Sequence, residues 1–430
     1  MEFETLKKSH LKRNIIIGVA VILIISAVIL NFTRAKYRVT ESIPLVNGTI
    51  NYSLADLNAV AIYINTDSGY TKTDTIPDGY VLNESESYCT VNGEEDTSIS
   101  LSYDTATKSL SVTPMTTKGT KCYLYFDEKG ITNIQELIAN YSTVKTRTFP
   151  LTTSSKVEGN TTGVIYKSAN SNQYDNDGEV YYFAGNPTDN WVKWAGFYWR
   201  IIRINGNGSI RMIYQGTSAN TTGTGTQLQT SKFNSSYDRS EYVGLKYTTG
   251  SQHGTGSNST IMGVLNTWYN SKLASYADDI DTNVGFCSDR NMGSGYSWSS
   301  EPSSTIYYAA YDRVAKTSSS VNPSFKCSNS SDLLKIPVGL ITVDETVYAG
   351  LAWNSGNLSN YLYTNSAYWT MSPCYFNGSS AGVFRVDSSG YLSYYYGVHG
   401  TNGVRPVVNL KSNIQFSEGN GTSETPLVVS

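Results

Sequence analysis

WAGFYWRIIRINGNGSIRMIYQG, residues 194–216, carries the strongest structural signal in the chain. Two runs rich in aromatic and β-branched residues flank Asn205-Gly206-Asn207-Gly208. Such side chains suit a pleated strand, and Asn and Gly tolerate the positive φ of a tight reversal. The stretch therefore predicts a β-hairpin. Downstream, IMGVLNTWYNSKL (261–273) predicts a helix. Ile261, Leu265, Trp268 and Leu273 form its apolar stripe, with Ser259 or Thr260 as cap. IPVGLI (336–341) reads as an apolar strand, and Thr342 to Glu345 as a capping box opening a short helix. Residues 368–410 read as strands and turns, with a hairpin turn at Asp387-Ser388-Ser389-Gly390. The Thr/Gly/Ser-rich stretch 217–260 is long enough to predict a mobile loop or a surface insertion. Asp175-Asn176-Asp177-Gly178-Glu179 has only the start of an EF-hand pattern and reads as a polar turn.

Upstream, AVAIYIN (59–65), SISLSYD (98–104), SLSVTPM (109–115) and CYLYFDE (122–128) alternate apolar and polar residues between turns. That spacing predicts an all-β, immunoglobulin-like sandwich over 33–130, acting as a spacer. ITNIQELIANYSTVK (131–145) predicts a short helix, with Asn133 and Glu136 as a capping signal. A polar linker follows, so 131–160 forms a junction. The final region, 161–430, has the mixed pattern of an α+β domain.

Residues Ile15 to Leu30 form one apolar run, preceded by Lys7, Lys8, Lys12 and Arg13. With Asn14, Asn31 and Phe32 it reaches the length of a membrane-spanning helix. No small-x-small cleavage site follows. The expectation is an uncleaved signal anchor at 14–32, a cytoplasmic tail at 1–13 and the bulk of the chain outside a single-pass membrane. An exported chain can form disulfides. Sequence proximity pairs Cys89 with Cys122 and Cys287 with Cys327, leaving Cys374 over.

The net charge of −3 offers no basic surplus for nucleic acid. Tyrosine occurs 34 times against 12 Phe, beside abundant Gly, Ser, Thr and Asn. Binding surfaces favour that mixture, and so do β-rich extracellular proteins with many polar turns. No Walker motif, dinucleotide fingerprint, nucleophile elbow or zinc-ligand spacing is present. The expectation is a protein that is not an enzyme and has no cofactor.

Three ordered motifs stand out: YWTMSP (368–373), SSGYL (388–392) and GVRPVVNL (403–410). Together with Trp194 to Ile204 and the Cys287…Cys327 segment, they resemble a family of Firmicutes membrane-anchored surface proteins. The C-terminal domain of that family looks like the C-type-lectin fold, in its formylglycine-generating-enzyme-like branch. The resemblance covers roughly residues 160–420. It implies a compact core that displays a face of exchangeable side chains, diversified in several relatives by retroelements. It also implies adhesion to an unknown surface protein or glycan; the alternatives are a structural cell-envelope protein and an enzyme on the formylglycine-generating-enzyme fold. The closely spaced reactive cysteine pair of the enzymes is missing here. Glu301-Pro302-Ser303 and Trp353-Asn354-Ser355 each lack one oxygen ligand of the calcium pattern, so no metal site is expected.

Within 374–402, strand parity turns Phe384, Val386 and Leu392 inward. Arg385, Asp387, Tyr391, Ser393 and Tyr395 turn outward, and His399 completes a candidate ligand face. Phe376 and Tyr396 are placed at its rim. Arg405 reads as structural, its guanidinium bonding carbonyls or a buried carboxylate.

Overall fold

The computed structural model describes residues 50–53, 60–66, 68–77, 79–114, 120–151, 163–317, 320–353, 355–393 and 396–430. The expected anchor, its cytoplasmic tail, most of the linker and Tyr395 lie outside them. No described helix is long and apolar enough to cross a membrane. The described residues are mostly β-sheet, and the chain divides into two compact units, 1–129 and 130–430.

In the first unit, Ser109–Thr113 lies between Ile50–Ser53 and Ser100–Asp104 in a three-stranded sheet. A second sheet runs in the order Gly69–Thr73, Val60–Thr66, Thr120–Glu128, Tyr88–Val91, Glu94–Glu95, with Tyr80–Leu82 also paired to Thr120–Glu128. Val60–Thr66 pairs parallel to Thr120–Glu128, and the other pairings are antiparallel. Alternation along these strands puts Ile62, Leu124 and Phe126 into a core with Leu101, Leu110 and Val112. Cys89 lies opposite Cys122 on neighbouring strands, and the two form a disulfide.

The second unit is built around the hairpin Phe197–Ile204 and Ile210–Gly216. Its turn closes with Asn205 N donating to Ser209 O at 2.8 Å. Gly208 takes φ +84° there. Gly206 is needed for a different reason: a Cβ would sit 2.2 Å from Gly178 N. Nine strands form one sheet around this hairpin. Val407–Leu410 pairs with Ile210–Gly216, and Leu427–Val429 runs parallel to Trp191–Trp194. The closing GVRPVVNL motif thus supplies a strand next to the hairpin. Arg405 donates to Tyr214 O, Leu362 O and Gln215 Oε1 and lies over the Tyr368 ring.

A six-stranded sheet completes the unit, with Tyr368–Phe376 between Ala381–Val386 and the short strands Ile306–Tyr307 and Thr401–Gly403. Four α-helices are described: α1 (Ile134–Ala139), α2 (Thr260–Lys272), α3 (Ala309–Val314) and α4 (Val343–Tyr348). Helix α1 is shorter than the predicted 131–145, and Asn133 Oδ1 caps it by accepting from Glu136 N. Ser259 caps α2. Thr342 and Glu345 form the capping box of α4.

The stretch 217–260 corrects its reading as a mobile loop or insertion. It contributes Thr230–Lys232 to the six-stranded sheet and buries Phe233, Val243 and Leu245. Its polar groups are tied down as well. Buried Glu241 accepts from Gly250 N at 2.8 Å and Ser300 Oγ at 2.7 Å, while Arg290 donates to Gly254 O at 2.7 Å. Cys287 and Cys327 form the second disulfide, and Cys374 is a free, fully buried thiol in the strand Tyr368–Phe376.

Candidate ligand face

The edge of the six-stranded sheet gathers several of the residues singled out in the sequence. Pairing of Ala381–Val386 with Leu392–Ser393 sets Arg385 opposite Ser393, and alternation buries Phe384, Val386 and Leu392. Arg385 and Ser393 are half-buried, as is Tyr391. The Arg385 guanidinium is held on three sides. It donates to Asp387 Oδ2 at 2.7 Å and Asn402 Oδ1 at 2.9 Å, and it sits 3.9 Å from the centroid of the Tyr396 ring. Such a fixed cation keeps a planar donor and an aromatic face in one place at small entropic cost.

His399 is exposed, lies 4.6 Å from the Tyr237 ring and places Nδ1 3.3 Å from Ser380 Oγ. Tyr237, at 44% exposure, is one of three large hydrophobic residues left in solvent among those described. Local sequence signals missed Tyr237, Ser380 and Asn402. Tyr237 lies in the polar stretch 217–260, and only the fold brings it to His399.

Two residues of the expected face are corrected. Phe376 is 1% exposed, pairs with Ile306 on one side and Ala381 on the other, and belongs to the core. Asp387 is also buried, because its carboxylate is spent on Arg385 and on Ser389 N, which closes the turn. Gly390 takes φ +75° in that turn and donates its N–H to Asp387 O at 3.0 Å. Asp387 therefore faces Arg385 and the turn and not solvent.

A charged cavity of about 40 Å³ lies elsewhere in this unit. Arg203 bridges Asp175 and Glu345, both at 3.0 Å, and Arg211 approaches Glu345 at 2.6 Å. Arg313 bridges Asp289 and Asp344, and Cys287 and Cys327 line the cavity wall. Burial alone pushes the Glu345 carboxyl up, but Arg211 and Arg203 outweigh it and hold the group below its ordinary value. The cavity has room for a water-sized guest. Its three arginines are each paired with buried or half-buried carboxylates, which ties the surrounding elements together. Asp175 illustrates this: its carboxylate accepts from Asp177 N, Gly178 N, Gly206 N and Arg203. The EF-hand-like stretch is thereby a closed polar turn. Among the described residues, no group of three or more His, Cys, Asp or Glu is placed to hold a metal.

His253 Nδ1 lies 2.9 Å from Asp332 Oδ2, and Asp332 is also gripped by the Arg290 guanidinium and N–H. The pair pins the 246–258 hairpin to the Cys287 segment. No family model, no curated protein and no solved structure matches the chain.

Proposed function

We propose that the chain is a membrane-anchored cell-surface protein whose C-terminal unit binds a ligand and catalyses nothing. The carrying observation is that one short segment, 396–399, supplies a member of both the exposed Tyr237–His399 pair and the immobilised Arg385–Tyr396 pair. Tyrosine and arginine dominate binding hot spots, and the two pairs offer ring surface, a cation and hydrogen-bonding tips. Tyr391 and Ser393 extend the face. In this reading the unit has a C-type-lectin-like fold, the N-terminal unit is an immunoglobulin-like stalk, and the segment 374–402 is open to diversification. The ordered motifs at 368–373, 388–392 and 403–410 support that reading.

The test is binding of the intact chain, in detergent micelles, to arrays of glycans and surface proteins. Tyr237→Ala and His399→Ala should each weaken binding about tenfold, the scale of one hot-spot contact. Tyr391→Ala should weaken it less, and the melting temperature should hold in all three. Binding that survives both Tyr237→Ala and His399→Ala places the ligand elsewhere.

A further inference from the structure

The N-terminal unit carries an aromatic face of its own. Register sets Tyr63 opposite Tyr125, Tyr88 opposite Tyr123 and Tyr70 opposite Asn65. Because side chains alternate, these five tyrosines share one face of the sheet, while Ile62, Leu124 and Phe126 fill the core on the other. Four rings form a row. Tyr63 and Tyr125 stack at 4.8 Å, Tyr125 and Tyr88 at 6.4 Å, and Tyr88 and Tyr123 at 4.9 Å, with interplanar angles of 11°, 21° and 20°. Tyr70 meets Tyr125 edge-on at 4.8 Å. All five are half-buried.

The two ends of the row differ. At one end Asp127 accepts from Tyr70 Oη at 2.9 Å, Asn83 Nδ2 at 2.7 Å and Asn65 Nδ2 at 3.0 Å, which fixes the last ring. The other end opens into a cleft of about 620 Å³, lined by Tyr88, Tyr123, Thr90, Asn92, Glu95 and Lys121. That volume is within the range of small-molecule sites.

We propose that this face binds a neutral polysaccharide strand, laid along the tyrosine row with its end in the cleft. Tyrosine pairs an apolar ring with a polar tip. A sugar ring pairs apolar C–H patches with hydroxyls and complements it on both counts. Charge complementarity points the same way. Lys72 and Lys121 lie on this face with Asp127 and Glu95, and Glu86 acts electrostatically on Tyr70 and Tyr125, so the face carries no cationic surplus. A nucleic acid would need a cationic surplus.

The experiment is retention of the intact chain, in detergent micelles, on insoluble cellulose, chitin, mannan and β-1,3-glucan, with a polyuronate and DNA as charged comparators. Retention is expected on at least one neutral matrix and about tenfold weaker in Tyr88→Ala/Tyr125→Ala. Loss of the melting transition in that variant would move the comparison to Thr90→Arg, which fills the cleft from a strand position outside the core. Retention on no neutral matrix overturns the proposal, as does equal retention in Thr90→Arg or preference for the charged comparators. Retention that instead falls in Tyr237→Ala belongs to the C-terminal face; it overturns this proposal and leaves the earlier one standing.

Discussion

Glu345 does two things at once. One carboxylate oxygen accepts from Thr342 N at 2.8 Å and closes the capping box, while the other faces Arg203 and Arg211. Glu345→Gln would leave two buried guanidinium groups short of an anion, a loss of about 3–5 kcal/mol for a broken buried pair. Chemical denaturation should show that drop. The pH dependence has a definite sign. Because the folded carboxyl lies below its ordinary value, its stabilisation is complete above the unfolded pKa. It is lost as pH falls through the lower, folded one. Glu345→Gln should therefore flatten the acid limb of the stability curve of the second unit. Tyr70 gives a second residue-scale prediction. Burial first, and the hydrogen bond to Asp127 next, push its phenol up to about 12. Asp127→Asn should bring tyrosinate formation at that position down toward the ordinary range, read by ultraviolet absorbance titration against the parent chain. An unchanged titration would mean that Asp127 does not act on Tyr70.

Single elements were legible wherever their cause is local. Thr342 and Glu345 are three residues apart, so the capping box could be read directly, and Thr342→Ala should cost about 1 kcal/mol of stability. The reversal at Asn205–Ser209 and the cap at Ser259 follow from side chains beside the elements they shape. Both disulfides were visible as well, because each closes a short span: 33 residues for Cys89–Cys122 and 40 for Cys287–Cys327. Replacing Cys89 and Cys122 by Ser should cost the first unit about 2–4 kcal/mol, seen as a lower melting temperature. Contacts set by sheet register were a different matter. Arg385 meets Asn402 because two strands flank Tyr368–Phe376, and His399 meets Tyr237 across a separation of 162 residues, 399 minus 237. Parity indicated that Phe384, Val386 and Leu392 turn inward. It could not indicate that Asp387 folds back onto Arg385, nor that Phe376 is covered by Ile306. The polar stretch 217–260 misled for a related reason. Its few apolar residues, among them Phe233, Val243 and Leu245, are spaced to no period, and its order comes from distant partners such as Arg290 and Ser300.

At the scale of the molecule, period-two alternation made the predominance of β-structure readable. The order of strands in the sheets was not, since strands separated by some two hundred residues lie side by side, as Ile210–Gly216 and Val407–Leu410 do. Cysteine status is a whole-chain property and can be counted. A maleimide should label none of the five cysteines in the native chain, one after unfolding without reductant and all five after unfolding with it. Label on the native chain would show that Cys374 is reachable. Its place makes that thiol useful. It is sealed in mid-strand, its own carbonyl accepts from Tyr308 N at 2.9 Å, and burial pushes its pKa well up. A reagent can reach it only when the strand comes apart from its neighbours. At saturating reagent the trapping rate becomes the rate of opening itself, so this solitary sulfur is a built-in stopwatch for how often the second unit unlocks.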